Sequence, residues 1–126
     1  AKILSVVERA YHGTLEEQDD TVLWMSHILK NSGADIAVLL RSNAVNYAVK
    51  DQDATGINIG GVSLTNPPRL DQDVSGLIDS GVAIFIVSED LEERGIREDE
   101  LVDGLKLINL RELAGLFDNY DSIWHW

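Results

Sequence analysis

Short, nearly continuous apolar runs in this chain are each followed by a segment whose apolar residues recur at helical spacing, and that alternation constrains the fold more than any other feature. The runs "ADIAVLLR" (34–41) and "VAIFIV" (82–87) carry almost no polar interruption. Strands of a parallel sheet read this way because layers cover them on both faces. "KILSVVE" (2–8) has the same β-rich character, and weaker strands are expected over 106–109 and over 122–126, "SIWHW". Five strands alternating with helices predict an α/β fold, a three-layer α/β/α sandwich with a mainly parallel sheet of about five strands. With 126 residues, 44% of them hydrophobic, the chain is long enough for one domain over 1–126 with a real core.

The helices have their own punctuation. Thr14 followed by Glu17 forms a capping box, which predicts a helix from about 14 to 31. Val22, Met25 and Leu29 supply its buried stripe and Gly33 its stop. "NAVNYAVK" (43–50) reads as a short helix, and "LRELAGLFDNY" as the last one. After Pro67 and Pro68, the residues Leu70, Val74, Leu77 and Ile78 fall on one helical face, with Gly81 before the next strand. Residues 51–68 are longer than a usual connection and rich in Gly, Asn and Pro; "INIGGVSL" within them is compatible with a small hairpin about Gly60 and Gly61.

Charge and composition exclude whole classes of function. Twenty-two acidic side chains against ten basic ones give a formal net charge of -12, with no Lys/Arg cluster. Phosphate backbones and anionic lipid are repelled by such a surface, so neither nucleic acid nor membrane is an expected partner. No apolar run approaches the roughly 18 to 20 residues of a membrane span, and no secretory pattern opens the sequence, so a cytoplasmic location is expected. Cysteine is absent. That removes disulfides, thiolate metal sites, persulfide chemistry and cysteine nucleophiles together. No cofactor is implied.

In a parallel α/β sheet, ligands bind beyond the carboxyl ends of the strands. The loops after the first three strands would bring Tyr11 and His12 to one rim with Ser42 and Asn43 and with the turn Ser88, Glu89 and Asp90. His12 titrates near neutrality and suits acid, base or ligand roles, although a lone loop histidine is more often a packing residue. Ser88 has no dedicated base in the sequence, so no nucleophile is assigned and the catalytic residues stay unknown. Gln18 projects toward the apolar side of the first helix, either tying a loop or lining the pocket. Glu16, Asp20 and His27 share one helical stripe; the wheel favours a solvated face over a metal site, and no metal is assigned. Arg94 can clamp an anion, but Glu89, Asp90, Glu92 and Glu93 beside it favour structural pairing. Gly95 is read as the end of a short helical turn. Trp24, Trp124 and Trp126 are large aromatics that a small core covers poorly, and they are the candidate interface anchors.

The order of these elements, with "GADIAVLLRSNAVNYAVK" and "SGVAIFIVSEDLEERGI" at its centre and a short aromatic strand at its end, resembles the DsrE/DsrF/TusD family of small sulfur-relay proteins along nearly the whole chain. The resemblance implies a compact α/β/α domain that assembles into homo- or hetero-oligomers of related subunits. It also implies a sulfur-carrying cysteine a few residues before the Arg-Gly pair, here Arg94 and Gly95. Counting back, that position falls at Val87 in one spacing or at Asp90 in another. Neither side chain forms the S–S linkage that a persulfide requires, so relay by this chain alone is excluded. Two readings follow: a noncatalytic subunit or accessory binding module of a sulfur-relay-type oligomer, or a self-contained homo-oligomer whose pocket serves a small ligand, a metal or another reaction.

Overall fold

A computed structural model of the chain describes residues 1–10, 20–52, 58–63 and 69–126. Five strands form one sheet: β1 (Lys2–Val7), β2 (Asp35–Leu40), β5 (Ile84–Val87), β6 (Lys106–Ile108) and β7 (Ser122–His125). Their order is β6-β5-β2-β1-β7 and every pairing is parallel. The expected sheet is therefore present, and it is parallel throughout.

Alternation along the strands sorts side chains into two layers. Ile36, Val38 and Leu40 of β2 face one way, into a cluster with Val22, Leu23, Leu70, Val74 and Leu77 from the helices α1 (Thr21–Asn31) and α2 (Leu70–Asp79). Ala37 and Leu39 face the other way, with Leu4, Val6, Leu113 and Leu116, under the helix α4 (Leu113–Asp118). The centre of the sheet is covered on both faces, which explains the unbroken apolar runs of β2 and β5. Between β2 and α2, a 3-10 helix at Ser42–Ala48 buries Ala44, Val45, Tyr47 and Ala48 in the first of these clusters. The short helix expected over 43–50 is thus the tighter 3-10 form. Gln52 Nε2 donates to the carbonyls of Asn46, Tyr47 and Val49 and closes its C-terminal end.

The long connection holds the hairpin that its glycines allow. Strands β3 (Asn58–Ile59) and β4 (Val62–Ser63) pair antiparallel, and Gly60 and Gly61 turn between them with φ of 59° and 81°. Two successive positive φ values are what a tight two-residue hairpin demands.

The start of the first helix differs from expectation. α1 begins at Thr21, and Asp20 is its N-cap, with extended dihedrals (φ -68°, ψ 133°) and a side chain that accepts from the N–H groups of Val22 and Leu23. An extended residue at 20 breaks the helical phase on which the stripe of Glu16, Asp20 and His27 depends. Asp20 is also only 1% exposed, so it does not belong to a solvated face. Its other oxygen accepts the Tyr47 hydroxyl at 2.6 Å, a buried bond from α1's cap to the 3-10 helix. The proposed capping box of Thr14 and Glu17 lies outside the described residues.

Candidate functional site

The carboxyl ends of β1, β2 and β5 lie side by side, since Val7 pairs with Leu40 and Leu40 with Ile86. The segments leaving β2 and β5 meet at this end of the sheet. Beyond β5 the chain enters the helix α3 (Ser88–Glu93) without a linker. Ser88, Glu89 and Asp90 are its first turn, all half-buried, while Val87 behind them is fully buried.

Glu89, Asp90 and Arg94 are each engaged here. Asp90 Oδ2 accepts the backbone N–H of Ser42 at 2.7 Å. Ser42 has φ of 51°, a left-handed conformation that costs a non-glycine residue about 1–2 kcal/mol, so the carboxylate holds a strained turn in place. Arg94 donates from Nε and Nη2 to Asn43 Oδ1 at 3.2 and 2.9 Å, and from Nη1 to the Asp90 carbonyl at 3.0 Å. Its remaining ion pair, with Glu93 at 3.5 Å, lies at the surface. Glu89 faces the other way and accepts the Leu110 N–H with both oxygens at 3.1 Å, tying α3 to the segment after β6. The rim is a set of polar braces that lock α3 against its neighbours.

The end of α3 is equally determined. Gly95 N–H donates to the Glu92 carbonyl and Ile96 N–H to the Leu91 carbonyl, with Gly95 at φ 64°. This is a Schellman stop, and the Leu91 and Ile96 side chains meet in the core below it.

Of the residues singled out in the sequence, Asn43, Ser88, Glu89, Asp90 and Arg94 come together here. Tyr11, His12 and Gln18 lie outside the described residues. Sequence reasoning passed over Tyr47, whose hydroxyl lies 3.4 Å from the Arg9 carbonyl and so reaches the segment leaving β1. Its signal was a tyrosine on the apolar side of "NAVNYAVK". Arg41 was also passed over; it stands at the end of β2 with Nη1 3.8 Å from Glu8. Among the described residues, no group of three or more His, Cys, Asp or Glu side chains is placed to hold a metal ion. No helix among them is long and apolar enough to cross a membrane.

The sequence profile of the DsrE/DsrF-like family matches residues 1–125. The chain belongs to that family. Solved structures agree on the fold. The YchN protein of E. coli superposes with a TM-score of 0.73 at 23% identity, covering 99% of this chain and 98% of its own. A protein of unknown function from Methanobacterium thermoautotrophicum superposes with a TM-score of 0.60 at 18% identity, covering 98% and 97%. Identities this low carry the architecture alone. No curated protein sequence matches this one. Within the DsrE/DsrF-like family this chain is a member without cysteine.

Proposed function

We propose that the chain is a single-domain, noncatalytic subunit or accessory binding module of a DsrE-like, sulfur-relay-type oligomer, located in the cytoplasm. One observation carries this reading: at a position where the resemblance places the sulfur-carrying cysteine, Asp90 spends its carboxylate on the Ser42 N–H. At the alternative position, Val87 is wholly buried. A residue that braces the rim supports a role in shape and assembly, with any thiol chemistry supplied by a related, cysteine-bearing subunit. The rim residues Asn43, Ser88, Glu89, Asp90 and Arg94, with Tyr11, His12 and Gln18, are the surface offered to that partner or its ligand.

Trp24 and Ile28, one turn apart on α1 and 52% and 45% exposed, are the face assigned to subunit contact. Trp126, with Trp124 beside it, is a second and smaller anchor. Its indole N–H already donates to Ser5 Oγ at 2.9 Å, so part of its surface serves the sheet edge.

Native mass spectrometry of protein isolated gently from its own host tests the reading. Co-isolation with a cysteine-bearing DsrE-like chain in fixed stoichiometry is the expected result. A pure homo-oligomer carrying a reproducible small-molecule adduct overturns it in favour of an independent binding protein. Trp24→Ala should weaken the assembly at least about tenfold if this tryptophan is a buried hot spot, and an unchanged mass distribution on dilution removes it from the interface.

A further inference from the structure

The residues after the 3-10 helix pair with a strap at 100–102: Lys50 N–H donates to the Glu100 carbonyl, and Val102 N–H to that of Ala48. Between this strap and α2 lies a hollow of about 400 Å³, lined by Lys50, Asp71, Ser75, Asp79, Leu101, Val102 and Asp103. Three carboxylates and one ammonium thus share a cleft floored by two aliphatic side chains. The ion pairs among the described residues lie elsewhere, at Arg41, Arg94, Arg97 and His125.

Asp71 is the residue that asks for a ligand. It is 9% exposed and lines the hollow. Its Oδ2 accepts the Asp51 N–H at 3.0 Å, but its Oδ1 is buried with no hydrogen-bond partner among the described residues. A desolvated carboxylate oxygen left unpaired is costly, and such groups mark the place of an absent donor. The terminal torsion of aspartate is soft, so a modest rotation can bring that oxygen toward an occupant, lengthening the bond from the Asp51 N–H as it does. Asp71, Ser75 and Asp79 follow at intervals of four along one stripe of α2, which sets the two carboxylates about 12 Å apart along the axis. Asp79 is the last residue of α2, at the negative end of the helix dipole, in a final turn that has no basic residue. At the Asp79 end the dipole and the carboxylate both favour positive charge; at the Asp71 end, in the first turn, the carboxylate alone does so.

We infer that this hollow binds a linear aliphatic diamine or polyamine, with one ammonium at Asp71, another at Asp79 and Asp103, and the methylenes on Leu101 and Val102. A divalent metal fits less well, because no three acidic or imidazole groups among the described residues converge on one point. Separate ammonium groups need only one carboxylate each. The inference does not rest on the proposed subunit role.

Calorimetric titration with spermidine in about 150 mM salt, where long-range attraction to a charge of -12 is screened, tests it. One saturable site is expected. Asp71→Asn and, independently, the exposed Asp79→Asn should each weaken it about tenfold, the effect of losing a charged hydrogen bond. Lys50→Met removes a competing ammonium and should tighten it. Asp118→Asn, the same charge change on α4 across the sheet, should leave it within about twofold. Equal losses from Asp71→Asn and Asp118→Asn would reveal mere polyanion attraction and overturn the site. So would the absence of saturable heat, or binding of magnesium chloride in place of spermidine.

Discussion

The rim beyond β5 and the hollow behind α2 are built from the same kinds of residue and are opposites in how they use them. At the rim, Glu89, Asp90 and Arg94 of α3 and its cap, with Asn43 from the 3-10 helix, satisfy one another or a backbone N–H at 2.7–3.2 Å. In the hollow, Asp71, Asp79, Asp103 and Lys50 line one cleft and form no ion pair among the described residues. Residue type alone does not separate framework from availability. The partner list does, because a polar group already paired inside the fold gains little from a ligand, whereas an unpaired one gains the full cost of its desolvation.

Substitutions can break that contrast. The largest loss is expected for Asp20→Ala, which uncaps α1 and removes the 2.6 Å carboxylate acceptor of the Tyr47 hydroxyl; about 3 kcal/mol in chemical denaturation combines a lost cap with a lost charge-assisted hydrogen bond. Asp90→Ala comes next, at about 2 kcal/mol for a charge-assisted bond to a strained backbone N–H. Ser42→Gly should stabilise by about 1 kcal/mol, since glycine adopts a positive φ freely. In that background the cost of Asp90→Ala should shrink, and strictly additive effects would show that the carboxylate does not hold the turn. Asp71→Asn, by contrast, is expected to lie within about 1 kcal/mol of the parent, because it removes a buried charge that is only half satisfied. A loss there as large as at Asp90 would dissolve the distinction between the two regions. Smallest of all is Arg97→Ala, whose pairs with Asp99 and Glu100 are 75% exposed on the arginine side, worth no more than about 0.5 kcal/mol.

The architecture was legible because its signals are local and periodic. β2 and β5 declared themselves by continuous burial, α2 by Leu70, Val74 and Leu77, and the hairpin by Gly60 and Gly61. What escaped depends on partners distant in sequence. Asp20 looked like one more acid on an exposed stripe, because a helical wheel assumes that the helix continues through it; the bond to Tyr47, 27 residues on, is invisible to any periodicity. The rim was foreseen as a meeting of loops, since parallel topology dictates it, but Arg94 reaches Asn43 across 51 residues, and nothing in either neighbourhood names the other. Asp71 carried no signal of its own in the sequence. Its half-satisfied state depends on the Asp51 N–H, 20 residues back, which no spacing rule describes.

The Schellman stop at Gly95 bears on how such chains should be sorted. A six-residue helix has too few internal bonds to stand alone, and this one survives because its arginine braces Asn43 while its glycine turns the chain back into the core. In this chain the Arg-Gly pair after β5 thus has a mechanical role that needs no reactive group before it. The pair here marks a joint, and whether a chain can handle sulfur is decided instead by the residues at the positions of Val87 and Asp90.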